Sequence, residues 1–470
     1  MDTRHETDAL QHYEWASRYL ENLIQGPPSP PPDATPEEIR ARAIARNERL
    51  RAFLEFIGNP HLNYRTIHVA GTSGKGSTSA FLASILSAAG FRTGLHVSPY
   101  LQVETEKLQI DDRLMSPQKF AEHVQALDVE MQRWVEAGNQ PLTYGEFWVS
   151  LTFFSFDRED CDFVVCEAGA GGRFDLTNIV QPDVSVITSV GLDHVRTLGE
   201  TIPEIAWHKA GIIKPGVPAV TTVEDPAALE VIRQEAELQG STLIELQRDR
   251  DYWWEWRERN GGYLRMPGMS ESIRLPLTGP FQSSNAAVAS RACQILTGEN
   301  GPLVSNETIR AGIERTRFPG RVEIVQESPH VILDGAHNPE KVDALIHTLS
   351  YFDRPARRIL VLGSLGGHDF LKVARDVAPE ADEIIVTAPS AVERASAPVD
   401  EIVATIDEVG TPNTLVLEPL EAIQTALDKA GPSDQIVVTG SLYLVGAVRE
   451  HWYPKQAILS QQTPFPEVTT

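Results

Sequence analysis

Apolar residues recur at helical spacing over residues 10–24 (LQHYEWASRYLENLI) and stop at GPPSPPPDATP. Six prolines among residues 26–36 forbid a regular element there and predict an extended surface loop. A second helix is predicted over 36–57, begun by Thr35 with Pro36 and two acids in its first turn. Short apolar runs then alternate with longer amphipathic stretches. The runs 66–70, 94–97, 162–167, 184–188 and 219–223 read as strands, the last starting just after Pro218, which cannot donate to a ladder. Strands alternating with helices predict an α/β chain built on a parallel central sheet with helices on both faces. The stretch 250–275 differs, being aromatic-rich and alternating around a double glycine, and predicts an antiparallel hairpin appended to the main sheet. A helix is expected over 283–296. The turn Phe318-Pro319-Gly320 is the expected domain junction, dividing 1–318 from 319–470. Beyond it strands near 331–334, 358–362, 383–387, 414–417 and 435–439 predict a smaller α/β domain of about 150 residues. The tail QQTPFPEVTT reads as loose.

Composition narrows the function classes. A chain of 470 residues exceeds the usual ~100–200 of one domain. Hydrophobic residues make up 41% and charged residues 23%, ordinary values that exclude a largely disordered chain. Lys and Arg total 41 against 65 for Asp and Glu, a net charge of −24. Such a polyanion has no surplus cations to displace counterions, so nucleic acid and anionic membrane are poor partners. Only Cys161, Cys166 and Cys293 are present, too few for a disulfide framework, which points to a reducing compartment. The start, MDTRHETDAL, is charged at once and holds no signal-peptide core; the expectation is a soluble cytoplasmic protein.

Three segments carry chemistry. HVAGTSGKGSTSAFLASILSAAG (68–90) reads as strand, Gly-rich turn and helix. Gly71, Gly74 and Gly76 let backbone N–H groups turn toward phosphate oxygens, Lys75 supplies a point charge and Ser77 a hydroxyl. The spacing departs from the standard phosphate loop, since Gly76 separates Lys75 from the hydroxyl residue. The bland alternative is a plain strand–turn–helix corner. Next, the strand CDFVVCEAGAGG ends in Glu167, and the following strand leads to Asp193 and His194 at the same sheet edge. Carboxyl ends of parallel strands face the ligand crevice, and an acid there beside a phosphate loop suits Mg²⁺. Thr201 and Glu204 form a capping box opening a helix that carries Lys209 in its last turn, where a lysine by itself reads as a dipole partner. Finally, VILDGAHNPEKVDAL reads as a strand presenting Asp334 and His337, with Asn338 capping the next helix and Pro339 in its first turn. Capping explains Asn338 and Pro339 and leaves Asp334 and His337 unexplained.

Together these pieces resemble the folylpolyglutamate synthase/dihydrofolate synthase family of Mur-ligase-like ATP-dependent amide ligases. The matching stretches are GTSGKGS (71–77), HVSPYL (96–101), TYGEF (143–147), EAGAGGRFDLTN (167–178), TSVGLDHVRTLGETIPEIAWHKAGI (188–212), FPGR (318–321), DGAHNP (334–339) and GSLYLVG (440–446), in family order over nearly the whole chain. The resemblance implies an N-terminal P-loop ATPase domain, a C-terminal Rossmann-like domain and catalysis between them. It implies that Gly74, Lys75, Gly76 and Ser77 hold ATP phosphates, with Asn285, Arg321 and Asp334 also on the nucleotide. Ser98, Glu167 and His194 match the Mg²⁺ ligands. Lys209 matches a lysine carbamylated by CO₂, and His337 a residue near the reacting phosphate. Phe174, Asp175 and Leu176 match the pterin-binding segment, with Thr143 and Tyr144 on the same wall. The implied reaction joins L-glutamate to dihydropteroate or a folate at the expense of ATP, in a monomer with small-molecule partners only.

Departures from the family pattern keep a second acceptor open. Ser73 stands where Asn is common, His208 where Glu precedes the lysine, and Tyr100 where His or Phe is usual. Lys107-Leu108 and Asp111-Asp112 alter the following loop, and the segment 363–369 lacks the usual DKD ending. The alternative is therefore the same ligation on a non-folate carboxylate. A noncatalytic nucleotide switch is the third reading, and it would not need Glu167, His194 and Lys209 kept together with DGAHNP.

Overall fold

The computed structural model describes residues 3–24, 34–257, 261–298, 301–367, 369–390 and 395–468. The Pro-rich loop expected over 26–36 lies outside the described residues as far as Asp33. The helix Thr3–Asn22 buries Tyr13, Ala16 and Leu20, a stripe at helical spacing. The helix Pro36–Phe56 starts as its sequence demands. Thr35 Oγ1 accepts the Glu38 N–H, and the Glu38 carboxylate accepts the Thr35 N–H at 2.9 Å.

The larger sheet has eight strands. From one edge these are Arg113–Leu114, Gln109–Ile110, Thr93–His96, Phe163–Glu167, Arg65–Ala70, Val184–Ile187, Ala219–Thr221 and Leu243–Glu245. The first three pair antiparallel and the rest parallel. Successive residues face opposite layers, so Val165 joins Ile67, Val69, Phe81 and Ile85 on one side. Val164 and Cys166 pack with Phe53, Phe120 and Phe147 on the other. Burial on both faces is why these strands read as continuous apolar runs rather than alternating ones. The second sheet runs Glu323–Glu327, His330–Leu333, Gln435–Thr439, Arg358–Leu362, Glu383–Val386 and Asn413–Leu415. It is parallel apart from its first pair. Its five predicted strands are all present; the edge strand Glu323–Glu327 was not foreseen, because its polar face leaves it without an apolar run.

Two expectations need correction. Residues 250–275 do not extend the main sheet. Trp253–Trp256, Gly262–Arg265 and Ile273–Arg274 form a separate three-stranded antiparallel sheet, and Trp254 packs edge-on against Tyr351 with ring centroids 4.7 Å apart. The antiparallel pairing is as expected. Leu264 and Ile273 of this sheet join the core cluster of Ile67, Val69 and Val165, with Trp254 packed against it, so the segment is attached through side chains and not through a shared ladder. The tail is not loose as far as it is described. Arg449 Nη2 donates to the Pro464 carbonyl at 2.6 Å, and Arg317 sits 4.0 Å from the centre of the Phe465 ring. Arg449 is wholly buried and also donates to Glu323 and, at 2.6 Å, to Gln102 Oε1. A buried guanidinium is tolerated only when its donors are met, and here it ties the tail, the second sheet and the 98–108 loop together.

Candidate functional site

Three neighbouring parallel strands end side by side, with Val69 level with Glu167 and Ala70 with Ile187. The loops that leave them share a cavity of 490 Å³ with the loop after His330–Leu333 of the second sheet. Gly74, Lys75, Gly76, Ser77, Ser98, Glu167, His194, Asn285, Arg321, Asp334 and His337 all line it. Residues more than two hundred positions apart are thus brought to one place. Lys209, Thr143, Tyr144, Phe174, Asp175 and Leu176 are not part of that lining.

The glycine loop is built to approach a ligand. Gly74 has φ 84°, and a Cβ there would run into the Asn285 amide. Gly76 lies under the Phe318 ring, where a Cβ would also collide. The helix Lys75–Ala88 starts at Gly74 with no side-chain cap, so its N-terminal N–H groups and positive dipole end are turned to the cavity. Lys75 Nζ donates back to the Gly71 carbonyl at 3.1 Å. Thr188 Oγ1 and Ser189 Oγ donate to the Ser73 carbonyl at 2.6 and 3.0 Å, pinning the loop. Ser73 Oγ itself is buried on the cavity wall with no hydrogen-bond partner among the described residues. A buried hydroxyl left over in a ring of donors fits a phosphate-bearing ligand.

Glu167 is 5% exposed, and its Oε2 accepts the Ser98 N–H at 3.1 Å. Burial lifts its pKa above the ordinary carboxylate value, against the opposing pull of Lys75, the Ser98 N–H and Arg321. A buried carboxylate short of compensating charge, next to a serine hydroxyl, is an oxygen donor set suited to Mg²⁺. Among the described residues no three His, Cys, Asp or Glu side chains stand together as a metal cluster. His194 caps the short helix Val195–Leu198 in the left-handed region (φ 48°), its Nε2 3.9 Å from Asp193 Oδ1. Burial would raise the Asp193 pKa, but His194, Lys341, Lys75 and Lys209 together hold it below the ordinary value.

Lys209 ends the helix Ile202–Ala210, whose Thr201–Glu204 capping box is present as the sequence indicated. It is 1% exposed. Burial pulls its pKa down to about 7, helped by Lys75 and Lys341 and resisted by Asp193 and Glu340. A lysine in that condition is substantially a neutral amine at neutral pH, the form that reacts with electrophiles.

From the second sheet, Asp334 accepts the N–H groups of Val322 and Ala336 at 2.9 and 2.8 Å and shapes its own loop. Burial raises its pKa while Arg321 opposes the rise. Arg321 is half-buried beside it and donates to the Gly320 carbonyl at 2.9 Å. Asn338 caps the helix Pro339–Leu349, as expected. His337 Nδ1 lies 2.8 Å from the Gly335 carbonyl and Nε2 lies 3.1 Å from Lys341 Nζ. Sequence reasoning passed over Lys341. A signal existed, because a lysine in a helix's first turn opposes the helix dipole.

The wall near Phe174 is organised differently. Asp175 accepts from Ala170 N, Thr177 N and Thr177 Oγ1 and caps the turn Leu176–Ile179. Thr143 forms a capping box with Glu146, which also binds Arg49 through two bonds of 2.9 and 2.8 Å. Tyr144 and Leu176 pack against the same core cluster. The Phe174 ring lies 5.6 Å from His208 and 5.9 Å from Trp207, with Arg40 over both Phe174 and Trp207. Asn47 Nδ2 donates to the Phe174 carbonyl at 2.9 Å.

Comparison with known proteins agrees with this layout. Residues 69–293 match the Mur ligase middle domain, and residues 320–442 match the Mur ligase glutamate ligase domain. The chain is 36% identical over 411 residues to the dihydrofolate synthase/folylpolyglutamate synthase of Bacillus subtilis, covering 86% of this chain and 94% of that one. It is 31% identical over 422 residues to the folylpolyglutamate synthase of Lacticaseibacillus casei, with the same coverages. Among solved structures, Escherichia coli FolC in complex with DHPP and ADP superposes with a TM-score of 0.76 at 28% identity, covering 94% of this chain and 97% of that one. Among the described residues no helix is long and apolar enough to cross a membrane.

Proposed function

The chain belongs to the dihydrofolate synthase/folylpolyglutamate synthase family of Mur ligases, and on that premise we propose that it joins L-glutamate to a folate-type carboxylate at the expense of ATP. The observation that carries the reading is the single cavity shared by the glycine loop, Glu167 and the Asp334–His337 loop of the other sheet. We assign residues 1–318 to the ATPase and acceptor-binding unit and 319–470 to the glutamate-ligase unit. The proposed working unit is a cytoplasmic monomer acting on small molecules.

The acceptor carboxylate oxygen attacks the γ-phosphorus of ATP, the bond to the β-bridging oxygen breaks, and ADP leaves an acyl phosphate. The glutamate amine then attacks the activated carbonyl, loses a proton and expels phosphate. Gly74, Gly76 and Ser77 cradle the phosphates through backbone N–H groups and a hydroxyl, and Asn285, Arg321 and Asp334 line the nucleotide side. Lys75 and Arg321 supply fixed positive charge where negative charge accumulates. Glu167, Ser98 and His194 would hold Mg²⁺, which when bound offsets the phosphate charge that repels an anionic nucleophile. The buried Lys209, in its neutral amine form, would add CO₂ through its Nζ and lose one proton, giving a negatively charged carbamate; its lowered pKa supports that reading. Phe174 and Leu176, with Tyr144 beside them, offer an aromatic and apolar face to a pterin, while Asp175 and Thr143 hold that wall in shape. Enclosure between two sheets keeps water from the acyl phosphate.

The test is ADP release from Mg²⁺-ATP and L-glutamate, with dihydropteroate and tetrahydrofolate compared as acceptors. Turnover with dihydropteroate makes the protein a dihydrofolate synthase, with tetrahydrofolate a polyglutamylase, and with both a bifunctional enzyme. Silence with both, from protein that still binds ATP, overturns a folate acceptor.

A further inference from the structure

The mechanism above leaves a half-buried lysine unused. Lys341 lines the cavity in the first turn of the helix Pro339–Leu349. A cation there faces the positive end of the helix dipole and gains nothing from the helix. Burial pulls its pKa down to about 8; Lys75 and Arg321 push the same way, while Asp193 and Glu340 oppose. Placement that costs this much needs a compensating contact, and one is present. Lys341 Nζ is 3.1 Å from His337 Nε2.

That contact decides the chemistry of the imidazole. His337 Nδ1 is 2.8 Å from the Gly335 carbonyl oxygen, which can only accept, so Nδ1 carries the proton. Nε2 then presents its lone pair to the ammonium of Lys341. Protonating Nε2 as well would set two N–H groups against each other, so His337 is neutral while Lys341 is charged. We propose that Lys341 is a positioning residue for the ligation: it fixes the tautomer and orientation of His337 beside the transferred phosphoryl group. His337 is then a rigid part of the cavity wall, held from Gly335 on one side and Lys341 on the other. Asp193 and Glu340 balance the charge from the neighbouring elements.

The inference rests on the ligase reading, and the test separates the two. Lys341→Met keeps length and removes the charge and donor; Lys341→Arg keeps both. With wild-type ADP release established, Lys341→Met is expected to lose about ten- to hundredfold in kcat, the value of a charge-assisted hydrogen bond. Its KM for ATP should stay within about twofold, because the loss falls on the transition state. Lys341→Arg should recover most of the lost kcat. The double variant Lys341→Met/His337→Ala should be no slower than His337→Ala, since the lysine acts through the histidine. An unchanged kcat in Lys341→Met overturns the proposal, as do losses that multiply in the double variant. An inactive wild type overturns the ligase reading instead. A thermal melt of Lys341→Met matching wild type excludes misfolding, and should it unfold, the kcat of Lys341→Arg decides, a rate as low as that of His337→Ala counting against the proposal.

Discussion

The nucleotide cavity and the Phe174 wall were both marked by motifs, yet they use their polar residues in opposite ways. In the cavity polar groups face a void: Ser73 Oγ is buried with no partner among the described residues, Glu167 is buried with its pKa raised, and the helix starting at Lys75 has no side-chain cap. On the wall the polar motif residues are consumed by the chain. Asp175 accepts three bonds from its own loop, and Thr143 and Glu146 close a capping box clamped by Arg49. The first region keeps polar groups unmet on the cavity wall, whereas the second presents rings held by a satisfied scaffold. A polar residue within a motif is therefore no guide to ligand contact until its own hydrogen bonds have been counted.

The largest expected effects fall on the cavity side. Glu167→Ala should abolish Mg²⁺-dependent ADP release, a loss of about a hundred- to thousandfold or more, with the fold intact by circular dichroism. Unchanged Mg²⁺ dependence would break the contrast at its centre. Lys209→Ala should likewise abolish ligation and be partly rescued by short-chain carboxylic acids in the assay; full activity without them would remove the carbamate.

On the wall the effects should be smaller and specific. Phe174→Ala is expected to raise the KM for a pteridine acceptor by about tenfold, the worth of a lost aromatic contact, while the KM for ATP stays put. Equal effects on both constants would mean that the two regions are not separate.

The smallest effect is on stability. Lys209 has a folded pKa of about 7 against an ordinary value of 10.5. The unfolded chain therefore binds more protons between those values, so the penalty of burying this lysine is nearly full at pH 7 and fades as pH rises. In CO₂-free buffer the urea midpoint of Lys209→Met should exceed that of wild type at pH 7, with the gap shrinking toward pH 9.5. A gap that widens with pH would contradict the buried-amine description.

The local pieces were legible because their causes are local. The Thr35, Thr201 and Asn338 caps, the glycine turn at 71–76 and the strands ending at Ala70, Glu167 and Leu333 follow from residues a few positions apart. Long-range partners were not. Nothing near Arg449 in sequence announces Gln102 or Pro464, and nothing near Trp254 announces Tyr351, so the tail and the aromatic hairpin were misplaced.

By itself, then, the sequence determined the α/β alternation, the order of the motifs and the position of the glycine turn before the helix Lys75–Ala88, because propensity, capping and turn chemistry act over a few residues. Only the tertiary structure decided which motif residues line the shared cavity and which meet each other. Parallel pairing aligned Val69 with Glu167, the second sheet brought His337 and Lys341 to the same cavity, and burial pulled the Lys209 pKa down to about 7. Burial and approach across a cleft depend on the whole packed chain, and no window of sequence contains them.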